Sequence, residues 1–221
     1  MKEAVRQVPV TCLLVGLCVL MYLVEILSGG ATNSQTLLNL GANFAPLLRA
    51  GEWWRVFTAA FLHIGITHLL LNVLVLYYLG RTVEGVTGHF RMAIIYLVSV
   101  VMGNLASAAI QPETISAGAS TGIFGLFGAF VFLGSEFRQY APLRVMARQY
   151  LILVGINLAF DLMTPGIDIY GHLGGLAGGF LVMALVGCPQ LGPINLRKRI
   201  LSGAVLVLGL LLLGKVVFFQ E

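Results

Sequence analysis

Four polar residues in this sequence have types and spacings that suit acyl-transfer chemistry. The segment GASTG at 118–122 has the Gly-x-Ser-x-Gly pattern, which can place the hydroxyl of Ser120 and free backbone N–H groups at a tight helix start. His172 lies in a glycine-rich run, and an imidazole near a serine can act as its general base. His68 and Asn72 share one helical face and could donate hydrogen bonds to an oxyanion. Each pattern alone is also typical of packing between membrane helices.

The composition indicates that lipid surrounds most of the chain. Of its 221 residues, 58% are hydrophobic and only 10% are charged, whereas a soluble domain has about 25% charged residues. The apolar residues form long blocks, which predicts an all-α polytopic membrane protein with a single domain over residues 1–221. Basic loops that orient the chain in a membrane account for the net charge of +4, so we expect no nucleic-acid partner.

Seven apolar blocks predict membrane helices. No small-residue cleavage site follows the first block, so we expect it to be retained as a span. The segment between the first two blocks is too apolar for a solvated loop and too interrupted for a span, which favours an interfacial loop over residues 28–65. The predicted spans are 9–27, 66–83, 92–111, 120–134, 149–163, 169–187 and 200–219.

The placement of basic residues predicts the orientation of the chain. With the N-terminus in the cytoplasm, three basic residues fall outside, namely Arg49, Arg55 and Lys215. This bias predicts a cytoplasmic N-terminus and, with an odd number of spans, an external C-terminus. The basic residues then inside are Lys2, Arg6, Arg81, Arg91, Arg138, Arg144, Arg148, Arg197, Lys198 and Arg199.

Ser120, His172 and His68 fall at one predicted depth. Each lies about 14–15 residues from the cytoplasmic end of its span, or some 21–23 Å above that surface at about 1.5 Å per residue. The block at 120–134 is too short to cross, so the preceding chain must dip inward as irregular backbone. Such backbone is tolerated only where it is buried in protein or lines a water cavity. A serine, a base and two donors beside water indicate a hydrolytic site.

A glycine stripe supports the position of His172. Gly171, Gly175 and Gly179 recur at intervals of four residues, which lets a second helix approach almost to backbone contact. We therefore expect His172 to face a neighbouring helix and not lipid.

Taken together, the motifs resemble those of the rhomboid proteases over nearly the whole chain. The segment EWWR at 52–55, the pair His68 and Asn72, the segment GASTG and His172 with its trailing glycines occur in the family's order. The seventh span resembles the form that has one C-terminal helix after a six-helix bundle. The resemblance implies a Ser–His dyad that cuts transmembrane protein substrates, without metal or cofactor.

The resemblance also implies the roles of individual residues. Ser120 would be the nucleophile and His172 the base, while His68, Asn72 and the backbone N–H of Ser120 would stabilise the oxyanion. Phe124 matches an aromatic that packs against the catalytic histidine, and it lacks the hydroxyl that some members carry there. The other supporting residues are Gly118, Gly122 and Gly175, and the residues implied to be structural are Glu52, Trp54, Arg55, Gly80 and Glu84.

Two aspartates leave a triad open. Asp168 lies four residues before His172 and could share its face, although a carboxylate there also suits the start of a helix. Asp161, in the fifth predicted span, is the second candidate. The family resemblance implies a dyad.

Two other classes of function are compatible with a polytopic membrane protein. A rhomboid-like protein that binds or escorts membrane proteins would lack the serine or the histidine, and both are present here. A transporter or channel would carry charged residues deep in several spans, and Asp161 is the one serious candidate. We expect a multi-pass protein of the cell membrane with its active site open to the external face. The sequence carries no signal for the oligomeric state or the natural substrate.

Overall fold

The computed structural model describes residues 7–164 and 166–219, and its regular structure there is helical. This confirms the all-α prediction. Lys2 and Arg6, which contributed to the predicted orientation, lie outside the described residues. The α-helices are α1 Pro9–Leu27, α2 Ser34–Asn39, α3 Ala45–Arg49, α4 Arg55–Thr58, α5 Ile66–Thr87, α6 His89–Ile110, α7 Ser120–Glu136, α8 Ala141–Met163, α9 Ile169–Val186 and α10 Leu196–Phe219.

Six helices of the described chain are long and apolar enough to cross a membrane, namely α1, α5, α6, α8, α9 and α10. The apolar helix α7 has only 17 residues, as expected for the short fourth block. The predicted spans 149–163 and 200–219 lie within longer helices, since α8 begins at Ala141 and α10 at Leu196. A long cationic side chain such as Arg144 can remain exposed while its helix continues.

The short helix α7 forms the centre of the bundle. Most of its residues are buried, and it packs against α5, α6, α8 and α9. The peripheral helix α10 buries only Leu206 and Val217 among its described residues, and its other side chains include large exposed apolar groups. The exterior of the bundle is apolar and α7 is buried at its centre. The first residue of α7 therefore lies inside the protein.

Glycines let α9 approach both α6 and α7 at backbone distance. A Cβ on Gly175 would overlap the carbonyl oxygen of Thr121, and one on Gly179 would overlap that of Gly125, so these residues confirm the predicted close packing. Gly174 makes a second seam, where a Cβ would lie 2.9 Å from the carbonyl oxygen of Met102 in α6. Gly171 is different, since its added Cβ would meet the Asp168 carboxylate at 2.5 Å.

The segment between α1 and α5 folds into short helices around a buried arginine. Arg55 donates from Nη1 to the carbonyl oxygens of Leu38 at 2.7 Å and Ala42 at 2.9 Å, and its guanidinium also pairs with Glu52. The bonds tie α4 to the turn after α2. The structural role expected for Arg55 and Glu52 is therefore confirmed.

A buried carboxylate joins α5 to the start of α1. Glu84 accepts hydrogen bonds from the backbone N–H of Val10 at 3.0 Å and of Thr11 at 2.8 Å, and from the Thr11 hydroxyl at 2.6 Å. These N–H groups lie in the first turn of a helix, where they lack partners within the helix. Gly80 lies one turn away, and its bare Cα leaves room for Thr11. Both residues are structural, as expected.

Candidate active site

The chain reaches Ser120 through irregular backbone that is bonded to the loop before α5. Ser116 and Asn43 exchange two backbone hydrogen bonds, each 2.9 Å long, and the N–H of Gly118 donates to the carbonyl of Ala59 at 2.9 Å. These bonds replace the water that such a segment would otherwise need. The predicted irregular backbone before α7 is confirmed, and it fixes where the helix begins.

Gly118 provides the space in which Ser120 and His68 meet. It has a φ of +140°, a region that favours glycine, and it is buried. A Cβ added there would lie 2.9 Å from Nε2 of His68 and 3.6 Å from the Oγ of Ser120. The serine hydroxyl and the imidazole of α5 therefore border one small volume. Any larger residue at position 118 would fill it.

The hydrogen bond at the other nitrogen determines the tautomer of His68. The backbone N–H of Ile64 donates to Nδ1 of His68 at 3.2 Å. A nitrogen that accepts a hydrogen bond carries no proton, so in the neutral ring the proton is on Nε2. Nε2 is the atom that faces the volume beside Gly118. His68 therefore presents an N–H donor next to Ser120.

Asn72 lies one turn along the same helix and is buried. Its amide nitrogen donates to the carbonyl of His68 at 2.9 Å, which leaves a second amide hydrogen for another acceptor. Asn72 and Ser120, both within the described residues, are not hydrogen-bonded to each other.

His172 is held in a defined orientation by α7 and α8. Its ring stacks on Phe124, one turn beyond Ser120, with centroids 4.2 Å apart and planes inclined by 7°. Its Nδ1 lies 2.6 Å from Oδ2 of Asp161. A carboxylate accepts and does not donate, so Nδ1 carries a proton and Nε2 of the neutral ring has the free lone pair. No hydrogen bond between Ser120 and His172 is recorded, although both lie in the described part of the chain.

The two aspartates have different partners. Asp168 is the N-cap of α9: Oδ1 accepts from the N–H of Gly171 at 2.8 Å and Oδ2 from the hydroxyl of Ser116 at 2.6 Å. The expectation that Asp168 marks the helix start is confirmed. Asp161, the second candidate, is the carboxylate that contacts His172.

Sequence reasoning passed over one buried acid, Glu25. This residue is fully buried at the end of α1, and its Oε1 accepts from the backbone N–H of His63 at 2.9 Å. The His63 ring then packs edge-on against His68 with centroids 5.3 Å apart. A charged residue within the apolar run of the first span was the available signal, because such residues in membrane helices need a partner.

The described residues contain no group of three or more His, Cys, Asp or Glu side chains placed to hold a metal ion. Cys188, in the loop after α9, is buried, and its burial raises the pKa of the thiol. A buried thiol of this kind remains protonated and is a poor nucleophile. Ser120 therefore has no competing nucleophile in that loop.

A family model agrees with this arrangement. The model described as a rhomboid domain matches residues 50–189, which include Ser120, His172, His68 and Asn72. This chain belongs to the rhomboid family.

Curated relatives extend the similarity to the flanking residues. The chain is 40% identical to Rhomboid protease GluP of Bacillus subtilis (strain 168) over 197 residues, which cover 89% of this chain and 38% of that protein. It is 33% identical to RHOMBOID-like protein 4 of Arabidopsis thaliana over 171 residues, 75% of this chain and 43% of that one. Rhomboid-like protease 3 of Toxoplasma gondii is 32% identical over 149 residues, 66% of this chain and 57% of that one. The chain thus spans between 38% and 57% of the length of these relatives.

Proposed function

We propose that this chain is an intramembrane serine endopeptidase that hydrolyses peptide bonds in or near the transmembrane segments of other membrane proteins. Ser120 is the nucleophile and His172 the general base. The family membership supports the class of activity, since two of the relatives above are named proteases. The geometry around Ser120 supports the roles of the individual residues.

The observation that carries the proposal is that two imidazoles near the start of α7 have opposite kinds of hydrogen-bond partner at Nδ1, a backbone N–H for His68 and a carboxylate for His172. His68 presents an N–H toward the volume that the Ser120 hydroxyl borders. His172, stacked one turn away on Phe124, has its proton on Nδ1 and a lone pair on Nε2. Acyl transfer needs both functions, because a base must take the serine proton and a donor must stabilise the oxygen that becomes charged.

In the first half of the reaction, Ser120 Oγ attacks the carbonyl carbon of the substrate while its proton moves to Nε2 of His172. The carbonyl oxygen becomes an oxyanion, which accepts hydrogen bonds from Nε2–H of His68 and from the backbone N–H of Ser120. Ser120 is the first residue of α7, so its N–H has no partner within the helix. Asn72 contributes its second amide hydrogen after a small movement of the side chain.

The tetrahedral intermediate then collapses as the C–N bond breaks. His172 returns the proton to the leaving amine, and the carbonyl remains as an ester on Ser120. Water enters, loses a proton to Nε2 of His172 and attacks the ester. Breakdown of the second intermediate releases the carboxylic acid, and the proton returns to Ser120. No hydrogen bond joins His172 to Ser120 among the described contacts, so the proposed proton transfer requires the two side chains to come within hydrogen-bonding distance when substrate is bound.

The site opens toward the external face of the cell membrane, with the N-terminus cytoplasmic and the C-terminus external. The excess of basic residues in the predicted internal loops supports this orientation. Protease protection of an epitope placed after residue 221 in right-side-out vesicles tests the orientation. Protection of the epitope there would contradict it.

The roles of Ser120 and His172 are tested by replacing each with alanine in the full chain. Each variant is expected to lose nearly all cleavage of a transmembrane substrate in detergent, because catalytic partners act as a unit. A fluorophosphonate probe should label the wild-type protein and fail to label Ser120→Ala. Ser107→Ala, which removes a buried hydroxyl in α6, is the matched control and should be labelled normally. Equal labelling of Ser120→Ala and wild type would contradict the proposed nucleophile.

A further inference from the structure

Helix α8 carries one carboxylate on a face that otherwise packs against the bundle. Most of α8 is exposed, and its buried described residues are Leu143, Ala147, Val154 and Asp161. Their spacing of four or seven residues places them along one helical stripe. The first three are apolar and Asp161 is the last. A carboxylate in a membrane helix is costly unless it faces a partner, so its place on this stripe requires an explanation.

The partner of Asp161 is the imidazole of His172. The atoms Oδ2 and Nδ1 lie 2.6 Å apart, and the two side chains are only 5% and 9% exposed. The Phe124 ring lies parallel to the imidazole on one face. The hydrogen bond fixes the rotation of the ring within its plane, and the stack fixes the plane itself. Together they determine where Nε2 points.

The other nearby carboxylate, that of Asp168, is bonded to different groups. Both oxygens of Asp168 already accept hydrogen bonds, one from the Gly171 N–H and one from the Ser116 hydroxyl. Those bonds hold the start of α9 and the segment before α7. Asp161 therefore has the direct contact with His172, while Asp168 holds the helix that carries it.

We propose that Asp161 is a positioning residue for His172, so that the chain works with a Ser–His–Asp arrangement instead of a dyad. This inference rests on the proposed function and deepens it. Asp161 keeps the proton of the neutral ring on Nδ1, which leaves Nε2 ready to accept the proton of Ser120. When that proton arrives, the ionised carboxylate stabilises the imidazolium while the Nδ1 proton stays in place. Since the pair is buried, the attraction is stronger than it would be in water.

Asp161→Asn tests the proposal with little change in volume. The asparagine amide can donate to Nδ1, which favours the tautomer with the proton on Nε2 and removes the base. We expect the rate of fluorophosphonate labelling and kcat to fall by about 10²–10⁴-fold, with KM for the substrate and the melting temperature close to wild type. A residue needed only for packing would instead change the melting temperature and leave the labelling rate of the folded protein unchanged.

Asp168→Asn is the matched control. Asparagine caps a helix about as well as aspartate, so the same substitution there should change chiefly the contact with the Ser116 hydroxyl, and we expect a melting temperature close to wild type and near-normal labelling per folded molecule. Imidazole ¹⁵N chemical shifts provide a measurement that needs no Asp161 variant. The His172 resonances, identified by their loss in His172→Gln, should show a protonated Nδ1 in the wild-type protein.

The outcomes separate the two proposals. If the wild-type protein neither cleaves nor reacts with the probe, the proposed function fails and the role of Asp161 fails with it. If the wild type reacts and Asp161→Asn reacts at the same rate, the role of Asp161 alone is overturned. Should Asp161→Asn not fold, the wild-type spectrum decides, and a His172 ring protonated on Nε2 would contradict the role.

Discussion

At the scale of single residues, the chemistry depends on which nitrogen of each imidazole carries a proton. A backbone N–H at Nδ1 of His68 and a carboxylate at Nδ1 of His172 impose opposite tautomers on two similar rings. One ring then donates at Nε2 and the other accepts there. Neither neighbour is part of the motif that identifies its histidine, so the surrounding fold assigns the roles.

The contribution of the proposed oxyanion donors to kcat can be tested at this scale by single substitutions. His68→Ala and Asn72→Ala should each lower kcat, by up to about 10²–10³-fold if water does not replace the lost donor. The loss is expected to be partial, because the backbone N–H of Ser120 remains. Initial rates on a transmembrane substrate measure the effect.

Asn157→Ala is the control for the asparagine. Asn157 donates to the carbonyl of Leu153 at 2.8 Å, the same intrahelical bond that Asn72 makes to His68, but it lies exposed on α8. The control removes an equivalent bond away from the site and should leave kcat unchanged. A His68→Ala, Asn72→Ala double variant that cleaves at the wild-type rate would mean that the donors lie elsewhere.

The sequence could predict these residues more readily than their contacts. Ser120, His68 and His172 stand out because polar groups in apolar runs are rare. The pairing of Asp161 with His172 was left open beside Asp168, since the four-residue spacing of Asp168 looked as favourable. That spacing was instead used for a helix cap, and Asp161, near the C-terminal end of α8, contacts the ring from the neighbouring helix. A contact between two helices leaves no periodic signal in a sequence.

At the scale of helices, α7 and α9 pack closely because the glycines at their contact have no side chains. The predicted glycine stripe was right for Gly175 and Gly179, which meet α7, while Gly174 and Gly178 pack on α6. Gly171 instead accommodates the cap of its own helix. The sequence pattern indicated one seam because it considered only the glycines that recur every four residues from Gly171 to Gly179. Small residues on two faces allow two seams, and this is how α9 is held between its neighbours.

Gly175→Val tests the seam with α7. Its Cβ would overlap the Thr121 carbonyl oxygen, and backbone in a packed bundle cannot yield as a flexible side chain can. We expect a loss of about 1–3 kcal/mol in the free energy of unfolding, seen as a lower melting temperature, together with lower activity. Thr121 follows Ser120, so a shift of α7 there also displaces the nucleophile.

Gly155→Val is the control for this substitution. Gly155 lies in α8, and a Cβ there would meet nothing within 4 Å. Both substitutions place the same branched residue in a helix interior, so only the contact differs. Melting curves that coincide for the two variants would show that the α7–α9 seam is not closely packed.

At the scale of the whole molecule, the short helix α7 is the element around which the others are arranged. Its 17 residues are few for a bilayer span, so we expect its start to lie below one surface, under the loop from α1 to α5. Arg55 holds that loop together, and the pairing of Asn43 with Ser116 fixes the loop to the segment before Ser120. The all-helical class followed from the sequence. The position of the loop over Ser120 did not follow from the sequence, because the backbone hydrogen bonds that hold it there leave no pattern of side chains.

The position of Ser120 below the membrane surface predicts which substrates are cut. A transmembrane helix holds its carbonyls in internal hydrogen bonds, and freeing them in lipid is costly. Cleavage should therefore depend on how easily the external turn of the substrate helix opens. Glycine there lowers helix stability by about 0.8–1 kcal/mol relative to alanine, so replacing such residues with leucine is expected to slow cleavage several-fold without abolishing binding. Initial rates and capture by Ser120→Ala measure the two effects separately.

The same replacement at the cytoplasmic end of the substrate is the control and should not change the rate. Rates that stay constant across the external series would show that unwinding does not limit access to Ser120.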